Sequence, residues 1–370
     1  MEEIDSVSIK QLKAWYKEPL PELLRRADKE RQEIFGQKVT FSRNYSIPLS
    51  NICRNNCAYC AFRARPPAIP AKILDPDAIQ SALKHARDLH CWEVLFITGE
   101  SVVPSEEIDN FLEGTQWTSI EEYYLWGLQE AVAMGLLPHS NFGPVTRDWL
   151  ARFKSWNASM GLMLESMDPS LANPGMPHEF SPGKDPETRF RFIQWAGELC
   201  IPFTTGILIG IGETEISRLE SLFAINTLSN RYHTIQEVII QNFTPDPATP
   251  MSSVQPPPLV ELLRLVAIAR LTLEKHVSIQ IPPNLNPKGI LELVHAGAND
   301  LGGISPATID YVNPRGAWPL VTNVSRLLAE EKIDLVPRLP VYDAFISEKF
   351  LSPAILRNIT AIRKKIHDGS

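Results

Sequence analysis

The sequence has no long hydrophobic run, no excess of positive charge and few cysteines, and each absence excludes a class of protein. No apolar stretch approaches the roughly 18 to 20 residues of a membrane span. Lys and Arg total 36 against 43 Asp and Glu, so no positive field would attract nucleic acid or an anionic membrane. Five cysteines in 370 residues are not the pattern of a disulfide-stapled secreted domain. Residues 1–5 are acidic where a signal peptide would be basic, so we expect a cytoplasmic protein that acts on a small molecule, with no nucleic-acid or membrane partner.

Strand-like and helix-like segments alternate along most of the chain, which is typical of repeated β/α units around a parallel sheet. The strand candidates are residues 39–48, 93–98, 137–141, 161–165, 203–210, 237–241, 278–281 and 300–304. This alternation predicts an α/β fold, a (β/α) barrel of the TIM type. We expect three segments: an N-terminal helical extension (1–38), the barrel (39–320) and a C-terminal helical tail packed on the barrel (321–370).

The unusual residues follow the predicted strands, where the loops of a β/α barrel carry its chemistry. A cysteine cluster follows the first strand, Thr98-Gly99-Glu100 ends the second, and Asn141 ends the third. Glu165 ends the fourth strand, a glycine-rich run (206–213) ends the fifth, and Gln241 and Asn242 end the sixth. We therefore expect a site at this end of the barrel.

Cys53, Cys57 and Cys60 supply three thiolates, one fewer than the irons of a cubane cluster. The fourth iron would stay open, as in catalytic metal sites, and a cosubstrate could become the missing ligand. The alternative is a zinc site, which needs a fourth ligand such as Cys91, Cys200 or His85. We interpret Cys91 and Cys200 as buried apolar thiols.

The cysteine loop, with Tyr59 before its last cysteine, resembles the C-x3-C-x-aromatic-C motif of the radical S-adenosylmethionine (SAM) superfamily. The resemblance implies one [4Fe-4S] cluster on Cys53, Cys57 and Cys60, with the open iron bound by SAM, and a 5′-deoxyadenosyl radical that starts the reaction. It also implies cofactor contacts for a further set of residues. These are Tyr59 near the adenine, Thr98, Gly99 and Glu100 at the SAM amino group, and Gly206, Leu208 and Gly210 beside the adenine.

Glu165 and Arg189 are further candidates for SAM binding. Glu165 ends an apolar strand, where a carboxylate is unfavourable unless it has a partner. Resemblance to related radical SAM enzymes implies that Glu165 binds the SAM amino group or ribose, and that Arg189 pairs with the SAM carboxylate. The alternative for both residues is a salt bridge at the barrel rim.

Within the superfamily, longer strings resemble the family of small subunits (CofG type) of 7,8-didemethyl-8-hydroxy-5-deazariboflavin (FO) synthase. The strings are FSRN (41–44), IPFTTGILIGIGET (201–214), IQEVIIQNF (235–243), IQIPPNL (279–285), NDLGGISP (299–306) and DYVNP (310–314). This resemblance implies an ammonia-releasing carbon-nitrogen lyase. Its substrate would be 5-amino-5-(4-hydroxybenzyl)-6-(D-ribitylimino)-5,6-dihydrouracil. Its implied partners are CofH (5-amino-6-(D-ribitylamino)uracil-L-tyrosine 4-hydroxyphenyl transferase), which makes that substrate, and an electron donor protein.

A polyol joined to a uracil and a phenol needs amide and hydroxyl partners more than charges. The candidates at strand ends are Asn141, Gln241, Asn242, Asn284, Ser305 and Asn313, of which we expect about half to contact ligand because polar loop residues often cap turns instead. His139 and His178 are left out of the catalytic set, since a lone His is more often structural.

Two other interpretations stay open. The chain could carry a neighbouring radical SAM activity, either CofH-type hydroxybenzyl transfer or a futalosine-pathway step, although the string NDLGGISP argues against both. In a different class, it could be a non-catalytic iron-sulfur or zinc binding module. Metal and sulfide analysis separates this second class from the enzymes.

Overall fold

The computed structural model describes residues 7–100 and 105–367. Within them, eight parallel strands close into a barrel with helices between them, which confirms the predicted TIM-type fold. The barrel strands are β1 (Lys38–Ser50), β2 (Glu93–Thr98), β3 (Leu137–Asn141), β4 (Ser159–Gly161), β5 (Phe203–Ile209), β6 (Ile235–Asn242), β7 (Ser278–Gln280) and β8 (Asp300–Ile304). A further strand, β9 (Asp334–Arg338), pairs with β1.

The helices surround the barrel and lie at both ends of the chain. They are α1 (Ile9–Tyr16), α2 (Leu20–Phe35), α3 (Pro76–Asp88), α4 (Glu106–Leu112), α5 (Ile120–Ala133), α6 (Arg147–Lys154), α7 (Pro186–Glu198), α8 (Glu215–Tyr232), α9 (Leu259–Thr272), α10 (Ile290–His295), α11 (Val321–Ala329) and α12 (Pro353–His367). Local caps begin several of them: Asp75 accepts a hydrogen bond from the Ala78 amide, and Asp185 from the Thr188 amide. None of the described helices is long and apolar enough to cross a membrane.

The long strand β1 closes the barrel by pairing with both β2 and β8. Its second half, from Asn44 to Ser50, pairs with β2, and Thr40, Ser42 and Arg43 pair with β8. Its first half, from Lys38 to Ser42, also pairs with β9. Closure of the barrel and addition of β9 both depend on the length of this one strand.

The fourth strand differs from its prediction over residues 161–165. Strand β4 ends at Gly161, and Glu165 has a φ of 65°, in the left-handed region that interrupts a strand. Glu165 nevertheless keeps a parallel bridge to Ile207 of β5, with its amide donating to the Gly206 carbonyl at 3.1 Å. The carboxylate is therefore placed by a turn at the barrel rim rather than by a regular strand.

The first two helices and the last helix of the described residues pack on the outside of the barrel. Helix α2 packs against α9 and α1 against α8, while α12 packs against α5 and β3. The segment 321–370 was predicted to be a helical tail, and this is wrong for Asp334–Arg338, which form β9. The division at residues 38 and 320 stays a prediction, and residues 1–6 and 368–370 lie outside the described part of the chain.

Candidate active site

A cavity of about 310 Å³ runs through the barrel, which is within the size range of small-molecule sites. Its mouth is lined by Cys53, Cys57 and Cys60, together with Thr98, Gly99 and Glu100 at the end of β2. It reaches down to further polar side chains, of which Glu93 and Glu237 lie near the starts of β2 and β6. We call this lower end the polar floor, formed by Asn44, Glu93, His139, Glu237, Gln280 and Arg338.

The cysteine loop is held against the end of β2 by close backbone contact. The Cys53 sulfur accepts hydrogen bonds from the amides of Asn55 (3.4 Å) and Glu100 (3.2 Å). A Cβ on Gly99 would lie 2.1 Å from the Ile52 carbonyl oxygen, so only glycine allows this approach. Arg65 stabilises the second half of the cysteine loop by donating hydrogen bonds to the backbone carbonyls of Cys57 and Cys60.

The three thiols suit an iron-sulfur cluster in chemistry and position. All three line one cavity. The backbone amides that donate hydrogen bonds to the Cys53 sulfur are of the type that adjusts the reduction potential of iron-sulfur clusters. Burial raises the pKa of the Cys57 thiol to about 11, so this thiol is protonated at neutral pH without a metal. A bound metal cation would stabilise the thiolate.

The possible fourth ligands of a zinc site lie elsewhere. The Cys91 sulfur is buried 3.9 Å from the Leu89 carbonyl oxygen, Cys200 follows α7, and His85 on α3 contacts the Tyr45 hydroxyl. None of them lines the cavity. In residues 7–100 and 105–367, no three His, Cys, Asp or Glu side chains converge in a group that could hold a single metal ion.

Two carboxylates and two cations form a buried network beside the cysteine loop. Arg189 donates to Glu100 Oε1 at 2.7 Å and to the carbonyls of Gly183 and Met163. Lys184 Nζ lies 2.5 Å from Glu165 Oε1, and Arg189 Nη2 lies 3.9 Å from the same oxygen. The charges of these four buried groups sum to zero, which allows them to be buried. A fifth group, the partly exposed Arg54, lies at the edge of the network with its Nε 3.6 Å from Glu100 Oε2.

The cations keep both carboxyl groups ionised despite burial. Burial alone would raise the pKa of Glu165, but Lys184 and Arg189 outweigh it, so this pKa is lowered. The pKa of Glu100 is likewise lowered, because Arg189 and Lys184 outweigh its burial. Glu165 and Arg189 thus form the salt-bridged arrangement considered as an alternative from the sequence, while both also line the cavity. Their contacts to SAM stay a prediction.

Tyr59 lies inside the cavity wall, with its hydroxyl 2.9 Å from His178 Nε2. Burial lowers the pKa of His178 to about 4, so this imidazole is neutral and available as a hydrogen-bond partner. His178 therefore positions the tyrosine that was predicted to lie near the adenine.

The glycine-rich element after β5 contributes one lining residue. Leu208 lines the cavity, whereas Gly206 and Gly210 do not. A Cβ on Gly206 would lie 2.3 Å from the Ile239 carbonyl oxygen, and one on Gly210 (φ 92°) would lie 2.5 Å from Pro257. In the structure these two glycines serve close packing, and their contacts to adenine stay a prediction.

Three of the six predicted substrate residues line the cavity: Asn141, Gln241 and Asn313. The other three do not line it and have partners within the protein, as Asn313 also has, because its Nδ2 donates to Asp310 Oδ2 at 3.0 Å. Asn242 accepts from Asn286 at 2.7 Å, Asn284 donates to Asp310 at 2.9 Å, and Ser305 Oγ accepts from the amide and hydroxyl of Thr308. The second set has the turn-stabilising contacts that polar loop residues often make.

Sequence reasoning considered His139 but missed the other residues of the polar floor and two residues at the mouth, Asn55 and Lys184. A signal for the floor was present, because alternate residues of a strand face the same side. Counting back by twos from Gln241 gives Ile239 and Glu237, and all three line the cavity. Asn55 lies within the cysteine loop, where its Oδ1 accepts from the Gly183 amide at 2.7 Å.

Comparison with known proteins identifies the family. The Radical SAM superfamily model matches residues 47–225. A 7,8-didemethyl-8-hydroxy-5-deazariboflavin synthase of Methanothermobacter thermautotrophicus is 43% identical over 321 residues, which cover 87% of this chain and 97% of the relative. The chain belongs to the radical SAM family of FO synthases. A Methanopyrus kandleri protein of the same name is 44% identical over 83% of this chain and 92% of its own length.

Solved structures share the fold of this radical SAM enzyme. Methylornithine synthase (PylB) superposes with a TM-score of 0.71 at 20% identity, covering 90% of this chain and 95% of PylB. HydG, a maturase of the [FeFe]-hydrogenase, gives a TM-score of 0.73 at 15% identity over 90% of this chain and 73% of HydG. At such identities the likeness establishes the barrel fold alone.

Membership of the radical SAM family defines the cofactors, a [4Fe-4S] cluster and SAM. The donor set described above fits them, because three thiols share one cavity with a charge-balanced network of carboxylates and cations. The barrel fold, the family and the cofactors predicted from the sequence are confirmed.

Proposed function

We propose that this chain is the CofG-type subunit of FO synthase. It cyclises 5-amino-5-(4-hydroxybenzyl)-6-(D-ribitylimino)-5,6-dihydrouracil to FO with release of ammonia and a proton, which makes it a carbon-nitrogen lyase. One SAM per FO, converted to methionine and 5′-deoxyadenosine, would accept the two electrons that the ring closure removes. One observation carries the proposal: a single cavity joins the cysteine loop to amide and hydrogen-bonding side chains deeper in the barrel. Support also comes from the two relatives named 7,8-didemethyl-8-hydroxy-5-deazariboflavin synthase, which match this chain over nearly their whole length.

In this proposal, Cys53, Cys57 and Cys60 hold the cluster. When bound, the cluster and SAM supply the 5′-deoxyadenosyl radical that removes a hydrogen from the substrate. Thr98, Gly99 and Glu100 orient the SAM amino group. Arg189 pairs with the SAM carboxylate, and Glu165 with the amino group or the ribose. Tyr59 and Leu208 border the adenine. The surrounding barrel wall would shield a reactive intermediate from solvent.

Asn141, Gln241 and Asn313 hold the substrate in this proposal, since they line the same cavity as the cysteine loop. An amide both donates and accepts hydrogen bonds, so it suits the carbonyl and N–H edge of a uracil. The proposed partners are CofH, as the source of the substrate, and an electron donor protein that reduces the cluster.

An anaerobic assay tests the proposal. Reconstituted protein is incubated with SAM, a reductant and the purified CofH product, and FO is detected by its fluorescence. We expect FO together with methionine and 5′-deoxyadenosine. Cys57→Ala should abolish all three products, whereas Cys200→Ala, which changes a thiol outside the cavity, should leave them unchanged.

The other outcomes are equally informative. Methionine and 5′-deoxyadenosine without FO would favour CofH-type transfer or a futalosine-pathway reaction instead. Stoichiometric zinc without iron or sulfide in anaerobically purified protein would favour a binding module.

A further inference from the structure

The polar floor is unusual for the interior of a barrel. Barrel interiors are normally filled by branched apolar side chains. Here Glu93 is the first residue of β2, and Glu237 lies five residues before the end of β6, which places it roughly 17 Å below the strand end. The SAM site at the mouth does not account for polar groups at this depth.

Most of the floor is held rigidly by the protein. Arg338 donates to Asp300 Oδ2 at 2.6 Å and to Glu237 Oε1 at 2.7 Å. The Thr204 hydroxyl donates to the second oxygen of Glu237 at 3.0 Å. His139 Nδ1 lies 2.6 Å from Ser159 Oγ. The floor is thus preorganised, so a ligand would meet groups already fixed in place.

Asn44 differs, because its side-chain oxygen has no hydrogen-bond partner among the described residues. Asn44 is only 2% exposed, it lines the cavity, and its Oδ1 accepts no hydrogen bond from the described residues. An unpaired buried acceptor is unfavourable, and a hydrogen-bond donor on a ligand would satisfy it.

Glycines make room for polar side chains at this level. A Cβ on Gly303 would lie 2.1 Å from Asn44 Nδ2, and one on Gly161 would lie 2.4 Å from the side-chain amide of Asn141. Both glycines line the cavity. Glycine inside a strand commonly marks a close approach of a ligand or another group. These strands therefore leave space for amides where other barrels are filled.

Part of the wall between Glu93, Glu237 and the mouth is apolar, beside His139, which pairs with Leu95, and Gln280, which pairs with Ile239. Leu95, Ile97 and Ile239 line the cavity, and they follow Glu93 and Glu237 along their strands. Aromatic rings suit such a layer, whereas a chain of hydroxyl groups does not.

We propose that the polar floor binds the ribityl chain of the substrate, so that this chain points away from the cysteine loop and the rings lie in the apolar layer. The inference rests on the proposed function and adds the orientation of the substrate. Each hydroxyl of the chain is both donor and acceptor. The floor offers the matching groups, an acceptor at Asn44 Oδ1 and donors at Gln280 and Arg338.

Anaerobic calorimetry on cluster-loaded protein with SAM tests the orientation with two probes. The first is FO, and the second is the same deazaflavin with a methyl group in place of the ribityl chain. Wild-type protein should bind FO about tenfold or more tightly than the methyl analogue. Asn44→Ala should weaken FO binding by about fivefold or more and leave the methyl analogue within about twofold of wild type.

Asn226→Ala is the matched control. Asn226 on α8 is also a buried asparagine with an unpartnered Oδ1, but it does not line the cavity. This variant should bind both probes as wild type does. Binding of the methyl analogue also shows whether Asn44→Ala has folded.

Two results overturn the orientation while leaving the proposed function intact: equal affinity of wild type for FO and the methyl analogue, or an equal loss of both in Asn44→Ala. The proposed function itself fails if wild-type protein neither forms nor binds FO, and the orientation then fails with it.

Discussion

At the scale of single residues, Gly99 determines how closely the cysteine loop approaches β2. A Cβ at this position would lie 2.1 Å from the Ile52 carbonyl oxygen and 2.7 Å from the Cys53 Cβ, and backbone cannot move aside cheaply. Gly99→Ala should therefore displace Cys53 and lower the iron bound per chain after reconstitution by about twofold or more. Gly127→Ala, whose Cβ would meet only Phe96 at 3.9 Å, should bind iron normally. Equal iron in the two variants would contradict this role of Gly99.

Glu237 should make stability depend on pH. Burial raises its pKa from 4.5 to about 8, although Arg338 opposes the shift. Between these pH values the folded protein keeps a proton on Glu237 that the unfolded chain releases. The contribution of Glu237 to stability is therefore complete below pH 4.5 and is lost as pH rises towards 8. Burial lowers the pKa of His139 to about 4, and this acts in the opposite direction only below its ordinary value of 6.5.

The pH effect is therefore best measured between about pH 7 and 8, where it amounts to at most about 1.4 kcal/mol per pH unit. Thermal midpoints of wild type and Glu237→Gln, recorded across this range, give the comparison. The midpoint of wild type should fall relative to that of the variant as pH rises. Parallel curves would show that Glu237 is ionised in the folded protein.

Some residues of the candidate site were predictable from the sequence and others were not. The spacing of Cys53, Cys57 and Cys60 carries the chemistry of the loop by itself, because the three cysteines are close in the chain. Lys184 was missed as the partner of Glu165, since an ion pair between two loops depends on how the barrel brings the loops together.

At the scale of elements, β9 attaches the C-terminal segment to the barrel through Arg338. Asp300 is fully buried and holds this guanidinium through two hydrogen bonds. Arg338→Met should leave Asp300 without its cation and lower the free energy of unfolding by about 3 to 5 kcal/mol. Urea denaturation under anaerobic conditions measures the change.

Arg363→Met is the control for this experiment. Arg363 pairs with Asp343 in the same C-terminal segment, but both side chains are exposed. Surface ion pairs contribute little, so the denaturation midpoint should not change. Equal midpoints for the Arg338 and Arg363 variants would refute a structural role for the buried pair.

The elements themselves were largely predictable, apart from the fourth strand and β9, of which β9 is the more informative. Alternation of apolar strands and helices marks the barrel strands, but residues 334–338 contain Pro337 and show no strand-like alternation. They form β9 because the first half of β1 offers an edge that β2 does not cover. Strand formation here depends on a distant partner, which local sequence does not reveal.

At the scale of the whole molecule, the barrel places the cysteine loop and the polar floor at opposite ends of one cavity. The order of the strands and the site at their carboxyl ends were predictable from the sequence. The depth of the cavity was not, because it depends on which side chains of all eight strands face inward and how far they leave the centre unfilled.

Transfer of hydrogen from substrate to SAM tests the central claim most directly, since it requires both molecules to react in the same cavity. Fully deuterated substrate is incubated in D2O with unlabelled SAM, and 5′-deoxyadenosine is analysed by mass spectrometry. The account predicts 5′-deoxyadenosine that carries one deuterium, in an amount equal to the FO formed. Accumulation of FO with unlabelled 5′-deoxyadenosine, or with none, would contradict it.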